Sequence, residues 1–208
     1  MSDLWTSPEK DCGSCGSKTC REFEARLKRG DAGYSDCPFS AVEYESTVMQ
    51  HHHDYSGRDI IGQPYDFVLM PLPNEVSARK IVLPFRPDTT ERYNITAGDI
   101  VFGRPAGAGC PIQHVIRVIK SDHETGVITG HVVSPIFVRE GTMKDIKEYH
   151  MLGFEGMASH ISREPEFGRR HSFLPGFCMM NRAHTGMVSM VIDRPYGIQV
   201  RLENIIIQ

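Results

Sequence analysis

The sequence lacks what would mark a membrane protein, a nucleic-acid binder or an enzyme of a familiar motif class. No apolar stretch approaches the ~20 residues that a membrane helix needs. The opening Met1-Ser2-Asp3-Leu4-Trp5 is polar and acidic, with no apolar segment of a secretory signal behind it. Lysine and arginine number 23 against 26 acidic residues, a formal net charge of −3, so no basic excess is available for a phosphate backbone. There is no internal repeat, no low-complexity tract and no Gly-x-Ser-x-Gly elbow, and the glycines follow neither the P-loop nor the dinucleotide-binding order. These absences predict a soluble, cytoplasmic protein that binds neither nucleic acid nor membrane. What is present is a globular composition, 40% hydrophobic over 208 residues, enough for one ordinary domain with a small appendage or for two small domains.

Cysteine is the informative residue. Four of the six fall between positions 12 and 37, and clustered cysteines in a reducing compartment are more often metal ligands than disulfides. The pattern is Cys12-x2-Cys15-x4-Cys20-x16-Cys37, with Pro38 directly after it. A [4Fe–4S] cubane needs four thiolates around its corners. Cys12 and Cys15 can reach adjacent irons from one tight turn, where Gly13 and Gly16 relieve crowding. An amphipathic helix over Lys18 to Arg29 is predicted, with Ser17 as its N-cap and Gly30 closing its C-terminus. Cys20, Phe23 and Leu27 share one face of it at i, i+3 and i+7. Cys20 then enters from the first turn, where the helix dipole favours an anionic cluster, and amides of the Cys12–Cys20 loop can hydrogen-bond its sulfurs. A structural zinc site is the main rival, although its usual second CxxC half is replaced here by two single cysteines. Disulfides or free thiols remain a third reading. Too few apolar residues lie in this stretch for it to fold alone.

The segment Cys12-Gly13-x-Cys15-Gly16-x3-Cys20, with x16 and Cys37-Pro38 following, resembles the four-cysteine iron–sulfur domain of the corrinoid iron–sulfur protein's large subunit. The same module occurs in an electron-transport complex subunit of anaerobes. The resemblance covers about residues 8–40 and implies one [4Fe–4S] cluster on Cys12, Cys15, Cys20 and Cys37 that passes single electrons at low potential. Residues 65–208 show no likeness to the corrinoid-binding domains that accompany the module, so corrinoid chemistry is not implied.

The fold class expected is α+β: an N-terminal iron–sulfur lobe with one helix (residues 1–45), a polar connector (46–64) and a strand-rich sheet or barrel domain (65–208). Short apolar runs, including Phe67 to Met70, Val115 to Ile119, Met187 to Ile192 and Ile198 to Ile207, predict the strands. One broken helix is expected from Met143, capped by Thr142 and interrupted at Gly153 and Gly156, because Phe154, Met157, Ala158 and Ile161 repeat with a helical period. The Gly-rich stretch Gly103 to His114 gathers the candidate catalytic or ligand-binding residues Arg104, Cys110 and His114; its plainer reading is a connecting loop with a buried thiol. Cys178 reads as a core thiol, His51-His52-His53 as a solvated connector, and Arg163, Arg169, Arg170 and His171 as a solvated loop or a docking site for an acidic partner.

The leading expectation is single-electron transfer from the cluster to a redox partner protein in anaerobic-type metabolism. The alternatives are a redox enzyme or reductive activator, whose β domain binds a small-molecule ligand at the Gly103–His114 loop, and a cluster-based sensor or assembly factor.

Overall fold

The computed structural model describes residues 5–40, 55–138, 143–176 and 178–207. The three consecutive histidines and the proposed Thr142 cap lie outside them. No helix among the described residues is long and apolar enough to cross a membrane. The chain is strand-rich, with a short α1 (Cys20–Arg29), a single-turn α2 (Thr89–Arg92) and 3-10 turns at Tyr34–Asp36 and Pro135–Val138. The strands are β1 (Phe67–Met70), β2 (Arg79–Pro84), β3 (Ile100–Ala106), β4 (His114–Ser121), β5 (Ile128–Val133), β6 (Lys144–Ser159), β7 (Arg170–Pro175), β8 (His184–Arg194) and β9 (Gly197–Ile207).

Their pairing makes two closed rings that share one strand. The sheet order is β1-β7-β8-β9-β6-β2-β5-β4-β3, and the extra pairings β1–β6 and β6–β3 close each half on β6. A ring with an odd number of strands cannot be antiparallel throughout. Each ring here resolves this with one parallel pair, β1 with β7 and β3 with β6. Closure removes the exposed edges that an open sheet would present. Each ring also has its own core: Phe67, Leu69, Phe154, Phe173, Val188, Val200 and Leu202 fill one, and Val82, Ile95, Val101, Ile116, Ile128, Ile146 and Tyr149 fill the other. Met151, on the shared strand, packs against both.

β6 is where the sequence expectation fails. The predicted broken helix is a strand of 16 residues. From Gly153 to Ala158 every residue is buried: Phe154 and Ala158 pack into one core, and Glu155, on the other face, is covered by Arg79, Gln199 and Arg201. A strand buried on both faces loses the period-2 alternation and reads as a near-continuous apolar run, in which helical spacings appear by coincidence. The glycines that suggested a break instead permit close strand approach. A Cβ at Gly153 would lie 2.6 Å from the Leu202 carbonyl oxygen, and one at Gly156 would lie 2.3 Å from that of Met70.

The helix of the cysteine stretch forms and ends as expected but starts at Cys20, two residues later than Lys18, with a different cap. Thr19, not Ser17, is the N-cap, its hydroxyl accepting from the Glu22 amide at 3.0 Å. Gly30, at φ 77°, closes the helix by donating to the carbonyls of Arg26 and Leu27. Ser17 is buried and accepts from the Arg26 guanidinium at 2.9 Å, tying the cysteine loop to the helix.

Candidate iron–sulfur site and the adjoining cavity

Cys12, Cys15, Cys20 and Cys37 line one small pocket together with Trp5, Asp11, Phe23 and Phe39. The Cys12–Cys15 turn is closed by the Gly16 amide, which donates to the Gly13 carbonyl at 3.0 Å. Both glycines sit at φ 77°, in the left-handed region that β-carbons disfavour. Asp11 accepts from the Cys20 amide at 2.6 Å, so the nearest carboxylate is already engaged in holding the helix start. Phe23 is almost fully buried and meets the Trp5 ring edge-on at 5.4 Å, which keeps water from that side. Burial raises the pKa of the Cys37 thiol. The Phe39 amide and the Trp5 indole partly offset this, and Cys15 and Cys12 add to the rise.

The residues fit an iron–sulfur group in kind. Four thiols, which bind as thiolates, share one pocket. The buried Trp5 indole N–H faces the Cys37 thiol, so it is placed to donate to a sulfur at this site. Among the described residues, no group of three or more His, Cys, Asp or Glu side chains is placed to hold a metal ion.

The cysteine segment is docked on the strands by specific contacts. Ser134 donates its amide to the Cys12 carbonyl at 3.1 Å, Arg117 donates to the Asp11 carbonyl at 2.6 Å, and Lys10 donates to that of Glu75 at 2.6 Å. Gly13 packs so tightly that a Cβ there would lie 2.7 Å from Ile136 Cγ2 and 2.8 Å from Phe137 Cε2.

Beside this segment lies a cavity of about 400 Å³, and Cys12 lines it as well as the cysteine pocket. Its polar groups include Lys80, His114, His184, Cys110, Cys178 and three serines (Ser14, Ser77 and Ser134), set in a wall that includes Met151, Phe154, Ile205 and Ile207. Alternation along β2 points Lys80 the same way as Val82 and Pro84, toward the interior. Its ammonium is 3.0 Å from His114 Nδ1 and lies over the Phe154 ring at 5.2 Å. The Tyr149 hydroxyl is 2.7 Å from the same Nδ1. An ammonium only donates, and it lies nearer to Nδ1 (3.0 Å) than to Nε2 (3.4 Å), which favours Nδ1 as the acceptor and the proton of the neutral ring on Nε2, 3.9 Å from the Cys110 sulfur. Burial is the first cause of every shift here. It lowers Lys80 to about 8 and His184 to about 4, lowers His114 to about 2 with the Lys80 charge assisting, and keeps the Tyr149 phenol protonated.

The structure thus brings Cys110 and His114 together but separates Arg104 from them. Arg104 is exposed and paired with Glu148. Gly103 to Ala106 belong to β3, so only residues 107–113 are loop. Cys178, expected in the core, is half-buried at the cavity. His171 is not in a solvated loop: it is fully buried, its Nδ1 2.8 Å from Asp66, while Arg163 and Arg169 pair with Glu166. Lys80 and His184 were not anticipated. The signal for Lys80 was its place in phase with Val82 and Pro84 in an alternating strand.

Comparison with known proteins agrees on the N-terminal stretch. Residues 8–39 match the family described as "Putative Fe-S cluster". The match supports an iron–sulfur domain and does not extend to the finer likeness to the corrinoid protein's large subunit. An uncharacterized protein of Methanocaldococcus jannaschii is 33% identical over 200 residues, covering 88% of this chain and 84% of that one. The chain belongs to that protein's family. The shared length reaches well beyond the cysteine stretch, so the family comprises the strand-rich part as well. No solved structure matches.

Proposed function

We propose that the chain holds one [4Fe–4S] cluster on Cys12, Cys15, Cys20 and Cys37 and works in single-electron transfer. The observation that supports this most directly is that all four cysteines, separated by up to 25 positions, line one pocket. The cluster supplies a site that gains and loses one electron. The chain's residues hold and shield it: Asp11 and Thr19 fix the helix start that carries Cys20, Trp5 and Phe23 exclude water, and Gly13 seats the loop against Ile136 and Phe137. Anaerobic metal and sulfide analysis, with electron paramagnetic resonance of the reduced protein, tests the reading. About four irons and four sulfides per chain and a one-electron signal are expected. Zinc without iron would end it.

A second reading places the electron's destination inside the chain. It is favoured by Cys12 lining both the cysteine pocket and the cavity that holds Lys80, Cys110 and His114. On this reading the protein is a redox enzyme whose substrate occupies the cavity, and a partner protein supplies the electron. A molecule filling the cavity should then alter the resonance line shape of the reduced cluster. An unchanged line shape with the cavity filled returns the argument to transfer between proteins.

A further inference from the structure

We infer that the 400 Å³ cavity binds a small organic acid, a single carboxylate on an apolar body, with its anion paired to Lys80. The inference rests on the reading of the cavity as a ligand site and deepens it by naming the ligand's chemistry. It does not depend on the cluster.

Lys80 is 6% exposed and makes no ion pair among the described residues. Its close polar neighbour is the neutral His114 ring at 3.0 Å. Burying an ammonium without a counter-charge is costly, and proteins seldom do so without a reason. At neutral pH this ammonium stays charged, since burial lowers its pKa only to about 8. Its environment therefore wants one negative charge from outside the chain. Among the residues lining the cavity, Lys80 is the one lysine or arginine, and none is aspartate or glutamate. A single unopposed positive charge matches a monoanion better than the doubly charged phosphate of a nucleotide. The apolar part of the wall, Met151, Phe154, Ile205, Ile207 and Val132 among others, offers an apolar body ample contact. His184, the His114 ring and the lining serines Ser14, Ser77 and Ser134 are the further polar groups that could orient the acid's oxygens or a neighbouring substituent.

The experiment is calorimetric titration of the anaerobically purified protein with straight-chain acids from butanoate to dodecanoate. Each is compared with its amide, its alkyl amine and its alkyl phosphate. The acid of best-fitting length should bind at least tenfold more tightly than its amide and its amine, and more tightly than its phosphate. In Lys80→Met the preference of acid over amide should vanish. Acid bound no more tightly than amide, a preference that survives Lys80→Met, or no binding across the series would each overturn the proposal. Tighter binding of the phosphate would replace the carboxylate by a dianion and overturn it in that respect. The wild-type ratio of acid to amide is decisive even if the variant misfolds. A second readout locates the ligand: bound acid should slow alkylation of Cys110 and Cys178, measured peptide by peptide. Because no turnover is measured, a protein that binds acid but lacks iron would refute the electron-transfer reading and leave this one standing.

Discussion

The cysteine segment and the double-ring body solve the same problem by opposite means. In the segment, Phe23 is the one buried residue of α1, and order depends on caps, the Asp11 bridge and docking contacts. In the body, two apolar cores are closed by strands that leave little edge exposed, and order rests chiefly on burial. The segment is polar and local, and on the proposed reading a bound group makes it firm. The body is apolar and non-local, so it can tolerate internal polarity such as Lys80. The difference teaches where each property of the protein can be altered without disturbing the other.

The largest expected effect breaks the comparison outright. Replacing Cys20 and Cys37 together with serine should remove the cluster and, with it, the amide protection of residues 5–40. β6 and β9 should keep theirs. Hydrogen exchange resolved by peptide checks this. If protection is lost in both regions alike, the body depends on the segment and the contrast is false. Metal-coupled order of this kind is usual where a small lobe lacks its own core.

Next comes a property of the body that the segment does not share. The Lys80 ammonium titrates near 8 in the folded protein against 10.5 for the free side chain. Between those values the unfolded chain holds more protons, so stability rises as pH increases from about 8 to 10.5 and is lost again as pH falls. At about 1.36 kcal/mol per pH unit, the charged lysine lowers stability by roughly 3 kcal/mol at neutral pH. Lys80→Met should therefore stabilise the body by up to that amount at pH 7 and flatten the difference between pH 7 and pH 10. Chemical denaturation at the two pH values measures it. His114 and His184, at about 2 and about 4, are lowered from an ordinary value near 6.5. The unfolded chain takes up protons first as pH falls, so stability should decline with acid from about pH 6.5 downward.

How much of this was legible in the sequence follows from the same contrast. The cysteine pattern is local, and its ligand spacing, its helix and the Gly30 stop could be read from forty residues. β1, β4, β8 and β9 were legible because runs such as Phe67 to Met70 are bounded by turn residues. β6 was not, because what makes it a strand is two neighbours arriving from distant parts of the chain. β7 was hidden by Arg170, His171 and Ser172, which look solvated until Asp66 is brought against the histidine. Cys110 and His114 were picked out by their density in one loop. Lys80 was missed because a lysine directly after Arg79 looks like a surface position unless the phase of the strand is followed. The cavity itself, assembled from every strand from β2 to β9 and from the cysteine loop, has no linear signature.

A smaller change tests the seam between the two regions. Gly13→Ala adds a methyl group at φ 77° and 2.7 Å from Ile136 Cγ2, so it meets both backbone strain and overlap. The cost should be about 1 to 3 kcal/mol, paid in docking rather than in the cores. Hydrogen exchange should quicken in residues 8–40 and around Pro135–Val138 while β9 is unaffected.

The smallest effect separates helix stability from ligation within the segment. The Thr19 hydroxyl satisfies one amide of α1, that of Glu22, at 3.0 Å. Thr19→Ala should cost about 1 kcal/mol of local stability. It removes no proposed ligand, and Asp11 still holds the Cys20 amide at 2.6 Å. The cluster should therefore assemble with full iron content but be lost sooner to a chelator under mild denaturant, by roughly the fivefold that 1 kcal/mol represents. An unchanged rate would mean that the cluster holds α1 in place without help from its cap. The segment would then owe its order wholly to the bound group, and the contrast with the self-sufficient body would be sharper than the contacts alone suggest.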